Sequence, residues 1–324
     1  MIHDHPHAHP ASADSDRMLM LATALTLGFA GIEAAVGLWA GSLALVADAG
    51  HMVNDAAALA LAAGAAWLAR RGASARHSYG LGRAEFLAAL INSAALLALV
   101  VWLVISAITR LHTSQAVQGV AVSLTAALGL ALNLAVAWML TRGEETLNTR
   151  AALLHVLGDL LGSMAALSSG LIIAVSGWTP IDPLLSLAIG ALILVSSLRL
   201  LRESVHGLME GVPLHLDLAR VGQALAAVPG VASVHDLHIW AVRSDLPVLT
   251  AHLVVPDLAA WEEILEQSHA LLRHDFGITH VTLQPEPMTR RVRWGAPSPL
   301  GAHGATAATP AERSSRACPP PAAG

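Results

Sequence analysis

The chain has 324 residues, 55% of them hydrophobic and 13% charged, with a net charge of −5 and a mean hydropathy of +0.59. A soluble domain has about a quarter of its residues charged, so this composition excludes an ordinary soluble protein and indicates an integral membrane protein. The single Cys318 excludes a disulfide framework and a Cys-based metal centre, and nothing in the charge balance calls for a nucleic-acid partner.

In chain order, residues 1–17 read as a cytoplasmic tail. It carries His3, His5, His7 and His9 at alternate positions, a tract that either binds transition metals weakly or has no specific role. It lacks the basic-then-apolar pattern of a cleaved signal. A membrane domain is expected over 18–208, with spanning helices near 18–39, 43–69, 85–109, 117–141, 151–176 and 182–201. The breaks between them are short and polar or bear Gly and Pro. Arg17, Arg70, Arg71, Arg76, Arg83, Arg142, Arg150, Arg199 and Arg202 fall at helix ends on one side, Arg110 on the other. The positive-inside rule then places both termini in the cytoplasm, with Trp39 and Trp178 near the outer interface.

Two spans carry the same short pattern, His51-x-x-x-Asp55 and His155-x-x-x-Asp159. Residues four apart share a helix face, so each span presents an imidazole and a carboxylate together. An Asp at the centre of a span costs roughly 2.5–3.5 kcal/mol, and two such pairs imply a shared purpose. Two nitrogens and two carboxylate oxygens satisfy a four-coordinate, zinc-like ion. The alternatives are helix–helix hydrogen bonding and a proton relay without metal. Asp48, on the same face, reads either as an auxiliary carboxylate or, preferably, as an end-of-helix charge. Asn54 and Asn133 read as interhelical hydrogen-bonding groups, and Glu33 as a polar anchor or part of a proton path.

After residue 202 the pattern changes. Residues 214–228 and 257–274 read as helices; VASVHDLHIWAV, PVLTAHLVV and ITHVTLQ read as strands. The order αββαβ predicts a small α+β domain over 209–288. His235 and His238, three apart on a strand, should face opposite sides. His252 on the next strand and Glu286 after the last can join one of them in a metal site. From 289 to 324 the composition suggests disorder.

The stretches GSLALVADAGHMVNDAAALALA, HSYGLGRAEFLAALIN, LNTRAALLHVLGDLLGS, IDPLLSLAIGALIL, ESVHGLMEGVP and VHDLHIWAV, in that order, resemble the cation diffusion facilitator family of divalent-metal/proton antiporters, its zinc-type members in particular. The resemblance covers about 17–287. It implies a six-helix membrane domain with a cytoplasmic ferredoxin-like domain, a homodimer, and a multi-pass protein of the bacterial inner membrane. It places the transport site on His51, Asp55, His155 and Asp159, with zinc as substrate and protons as counter-ion. A cytoplasmic regulatory zinc site falls on His235, His252 and Glu286, and a basic-to-acidic contact on Arg83 and Glu210. Of the loop site found in some members only His77 is matched. The rival functions are an intramembrane zinc hydrolase, for which no His-Glu-x-x-His string occurs, and a membrane-anchored metal sensor.

Overall fold

The computed structural model describes residues 13–113, 115–141 and 147–288; within helices, the side chains of 13–23, 140, 147–152, 154 and 155 lie outside the description. The His tract of the N-terminus and the tail from 289 also lie outside it. The described residues fall into two compact units. One runs to Leu68 and resumes over Leu87–Ser204; the other joins Ala69–Phe86 to the residues from Val205 onwards.

The first unit is built from α1 (Ala13–Ala40), α2 (Leu43–Ala69), α3 (Ala84–His112), α4 (Gly119–Thr141), α5 (Leu147–Ser176) and α6 (Ile181–Leu208). Helix α1 begins inside the stretch expected to be tail. Five of these helices are long and apolar enough to cross a membrane, and α1 adds a shorter apolar stretch, Ala24–Ala40. Many large apolar side chains point outward, Leu38, Val175 and Val195 among them. In water this would be a defect; in lipid it is the ordinary exterior of a span.

Small residues set how closely these helices approach. A Cβ on Gly119 of α4 would stand 2.6 Å from the Ala174 nitrogen of α5, and one on Gly170 of α5 would stand 2.6 Å from the Ser123 nitrogen of α4. The two backbones are therefore in direct contact at these glycines, the packing that stabilises helices where lipid supplies no hydrophobic drive. Around them Ala40, Ala44, Leu45, Val122, Ala126 and Ala166 form a buried cluster from α1, α2, α4 and α5.

A buried carboxyl fixes the start of α2. Asp182, in the first turn of α6, is fully buried. It accepts from Ser42 Oγ (2.6 Å), Leu43 N–H (2.6 Å), Ala44 N–H (3.4 Å) and Ser169 Oγ of α5 (3.2 Å). Arg110 of α3 donates to the Gly41 carbonyl and stands 3.9 Å from Asp182. Gly41, at φ 72°, makes the left-handed turn that lets α2 follow α1 with only two residues between them.

The second unit contains α7 (Leu218–Ala226), β1 (Ser233–Arg243), β2 (Leu246–Val255), α8 (Trp261–Phe276) and β3 (His280–Pro287). The sheet order is β1-β2-β3, with β1 antiparallel and β3 parallel to β2. This is the expected αββαβ order. The inward faces of the strands, with Leu249, Ala251, Leu253 and Val255 on β2, pack on Val221 and Leu225 of α7 and Ile264 and Leu272 of α8. His235, His252 and Glu286 lie outside this core, partly or wholly exposed. In the same unit Arg83 donates to Glu210 at 2.7 Å.

Two outcomes test these features. Asp182→Ala strips acceptors from the first N–H groups of α2 and from two serine hydroxyls, and should cost about 3 kcal/mol. A thermal unfolding midpoint within a degree or so of the parent would show that Asp182 is not an anchor. Glu210→Arg should lower the midpoint slightly, since exposed pairs contribute about 0–1 kcal/mol. Arg83→Glu added to it should recover part of the loss. The left-handed backbone at Glu210 (φ 59°) is common to both variants, so charge alone separates them. A double variant no better than either single would show that the two residues do not act as a pair.

Candidate functional site

With its start held by Asp182, α2 carries His51 and Asp55 one turn apart on one face. His51 Nε2 lies 3.4 Å from Asp55 Oδ2. Asp159 of α5 is buried and joins them: one ligand atom from each of His51, Asp55 and Asp159 lies within 4.8 Å of the others. Donors around a tetrahedral ion at 2.0–2.2 Å stand about 3.3–3.6 Å apart. The trio therefore needs only a small contraction to hold zinc. His155 lies one turn before Asp159 on α5, the spacing that gives both the same face. Its side chain lies outside the described residues.

Polar groups surround this trio. Asp48 is not an end-of-helix charge: it is 1% exposed and accepts a 3.4 Å hydrogen bond from Ser163 Oγ of α5. A Cβ on Gly162 would come 2.2 Å from Asp48 Oδ1, so this glycine makes the room that Asp48 occupies. The acidic group sits inside because α5 offers it both a hydroxyl and space. Asn133 of α4 donates to Ser163 (3.2 Å), and Asn54 of α2 to Asn92 of α3 (2.8 Å), the interhelical bonds expected of both. Glu33 of α1 is fully buried.

The second cluster lies on the outer face of the sheet. His235 Nε2 stands 3.0 Å from Glu286 Oε2, and His252 Nδ1 stands 2.9 Å from Glu286 Oε1. The two imidazoles meet edge to face at 5.2 Å between centroids. Two imidazoles and a carboxylate suit a borderline divalent ion.

The strand geometry here overturns one expectation. His235 pairs with His252 but His238 with Thr250, so three residue steps on β1 oppose two on β2. The extra residue is a bulge, with Asp236 at φ 51°, a conformation that Asp tolerates better than most residues. The bulge restores parity, and His235 and His238 face the same side. Asp236 thereby stands 3.0 Å from His238 and 3.6 Å from His252. The hydrogen bond from His238, reinforced by the charges of the neighbouring histidines, holds the Asp236 carboxyl below its usual range.

Two residues here were not singled out from the sequence. Asp236 had a signal: an acidic residue inside an otherwise apolar strand run is a bulge cue. Asp182 precedes Pro183 at a helix start, which suggests a cap of its own helix. Its actual partner is the start of α2, distant in sequence.

Residues 19–209 match the cation efflux transmembrane domain, and residues 213–288 match the cation efflux protein cytoplasmic domain. The chain is 41% identical to the zinc transporter ZitB of Escherichia coli (strain K12) over 88% of this chain and 91% of that protein. It is 37% identical to the cadmium, cobalt and zinc/H(+)-K(+) antiporter of Bacillus subtilis (strain 168), over 83% and 88%. A solved structure, the metal-bound C-terminal domain of the CzcD transporter from Cuprividus metallidurans, is 46% identical and covers 22% of this chain and 99% of its own, at a TM-score of 0.21.

The outer-face cluster generates a binding test. Zinc titrated into the full chain carrying Asp159→Ala should bind at the remaining set, and adding His252→Ala or Glu286→Gln should weaken that binding by at least the roughly 10–100-fold that losing an outer-shell partner costs. Unchanged affinity in both would remove these residues as ligands.

Proposed function

The chain belongs to the cation efflux family, whose members are transporters rather than enzymes, and from that premise we propose that it exports divalent zinc from the cytoplasm in exchange for protons. The observation that supports this most is the gathering of His51, Asp55 and Asp159 from two membrane helices. With His155 from the preceding turn of α5, the set becomes two imidazoles and two carboxylates. Its two negative charges offset those of one zinc ion. Imidazole and carboxylate must give up protons to bind metal, so one set of lone pairs holds either zinc or protons. Alternating access of this set to the two membrane faces gives antiport. Cobalt and cadmium, which the Bacillus subtilis relative is named for, suit similar donors.

The arginine distribution supports cytoplasmic termini, and the bacterial relatives support a place in a bacterial inner membrane. The α+β unit serves as the contact between two copies in a homodimer. Zinc at His235, His252 and Glu286 acts there as a regulatory ligand, replacing the hydrogen bonds that Glu286 makes to both imidazoles. As the cytoplasmic zinc level rises, that site fills and favours the state competent for export.

Proteoliposomes loaded with a zinc-sensitive dye test the reading. His51→Ala, Asp55→Ala, His155→Ala and Asp159→Ala should each lower flux to that of empty vesicles while the protein remains a folded dimer. Full zinc export by Asp159→Ala would sink the ligand assignment. Calorimetry in buffers of differing ionisation enthalpy should report proton release on zinc binding near pH 6–7. A count of zero there would make the protein a uniporter.

A further inference from the structure

Glu33 is a buried acid that the metal site does not use. Its side chain is wholly inaccessible, and neither carboxylate oxygen finds a hydrogen-bond donor among the described residues. It lies against Gly129 of α4, where a Cβ would stand 2.9 Å from Glu33 Oε1. Asp48 and Asp159 are near enough to act on it electrostatically.

The titratable groups around it are aspartates and histidines, with one arginine that is already engaged elsewhere. Helix α4 carries none between Gly119 and Thr141. Helix α2 presents Asp48, His51 and Asp55; α5 presents Asp159, with His155 one turn earlier. Arg110 of α3 is engaged at Gly41 and Asp182. Glu33 thus shares the membrane interior with three aspartates, Asp48, Asp55 and Asp159, and has no hydrogen-bond donor among the described residues. An uncompensated anion is costly in such a place. Zinc on the neighbouring ligands brings two positive charges; its departure removes them.

We propose that Glu33 carries a proton of the exchange at a site beside the metal ligands, coupled to them through the Asp48 and Asp159 charges. The proposal rests on the antiport reading above. When zinc arrives, the O–H bond of the Glu33 carboxyl breaks and its proton passes to water on the side from which zinc entered. When zinc leaves on the far side, the carboxylate takes a proton from water there. Asp48, tied through Ser163 to Asn133, relays the change in charge between helices α2, α4 and α5.

The test uses the full chain in proteoliposomes with zinc and an internal pH dye. Glu33→Gln should still bind zinc and pass it down its gradient, but more weakly and with a shallower pH dependence, because the neutral amide mimics the protonated acid. Its proton count per zinc should fall by about one, and an imposed pH gradient should drive it less. A Glu33→Gln protein with the parental proton count overturns the role of Glu33 and leaves the antiport reading standing. A parent that moves zinc without protons overturns both. Infrared difference spectra of the unaltered chain decide the matter if the variant does not fold. Glu33 is the sole glutamate among the buried described residues. Zinc should therefore erase a protonated-carboxyl band that shifts when the glutamates are labelled with carbon-13. The absence of such a band overturns the proposal.

Discussion

Bare N–H groups at the start of a helix are tolerable in water and expensive in hydrocarbon. Asp182 meets that constraint for α2, and the rest of the membrane unit depends on how it does so. The carboxyl comes from α6, while the groups it satisfies belong to α2 and α5. Arg110 brings α3 to the same point through Gly41. The ends of α2, α3 and α6 and the later part of α5 thus meet around one buried side chain, which sets where α2 begins. His51 and Asp55 are two to three turns further on, where a small tilt at the start would move them away from Asp159.

Beyond that anchor the interior is organised by the exchange of volume for polarity. Gly162 and Gly129 leave room that carboxyl groups fill, Asp48 in one case and Glu33 in the other. A methyl at either place would displace an acid. This is an arrangement a purely structural core would avoid, since apolar side chains of similar volume are at least as stabilising as buried charges. That cost is what motivates the role proposed above for Glu33.

The helical spacing of His51 and Asp55, and the chain order αββαβ, could be read directly, because a four-residue repeat and alternating strand patterns translate into faces without further knowledge. The depth of Asp48 could not. It depends on a glycine and a serine over a hundred residues later, and no local signal joins them. The bulge at Asp236 failed for the opposite reason: its cue was local, but a period-two reading assumes regular pairing, and one inserted residue reverses every side beyond it. Arg83 and Glu210 were paired through family resemblance and stand in contact at 2.7 Å; nothing in their own flanking residues points from one to the other.

The glycine contacts between α4 and α5 have a mechanical consequence. Backbones that touch at Gly119 and Gly170 cannot shear past one another without driving main-chain atoms together. The two helices are therefore stiff as a pair and compliant only at their outer surfaces. A displacement of Asp159 drags α4 along, together with the Asn133 amide bonded to Ser163. The lever that carries one half of the proposed ligand set is two helices wide, and its stiffness comes from two places where a hydrogen stands instead of a methyl.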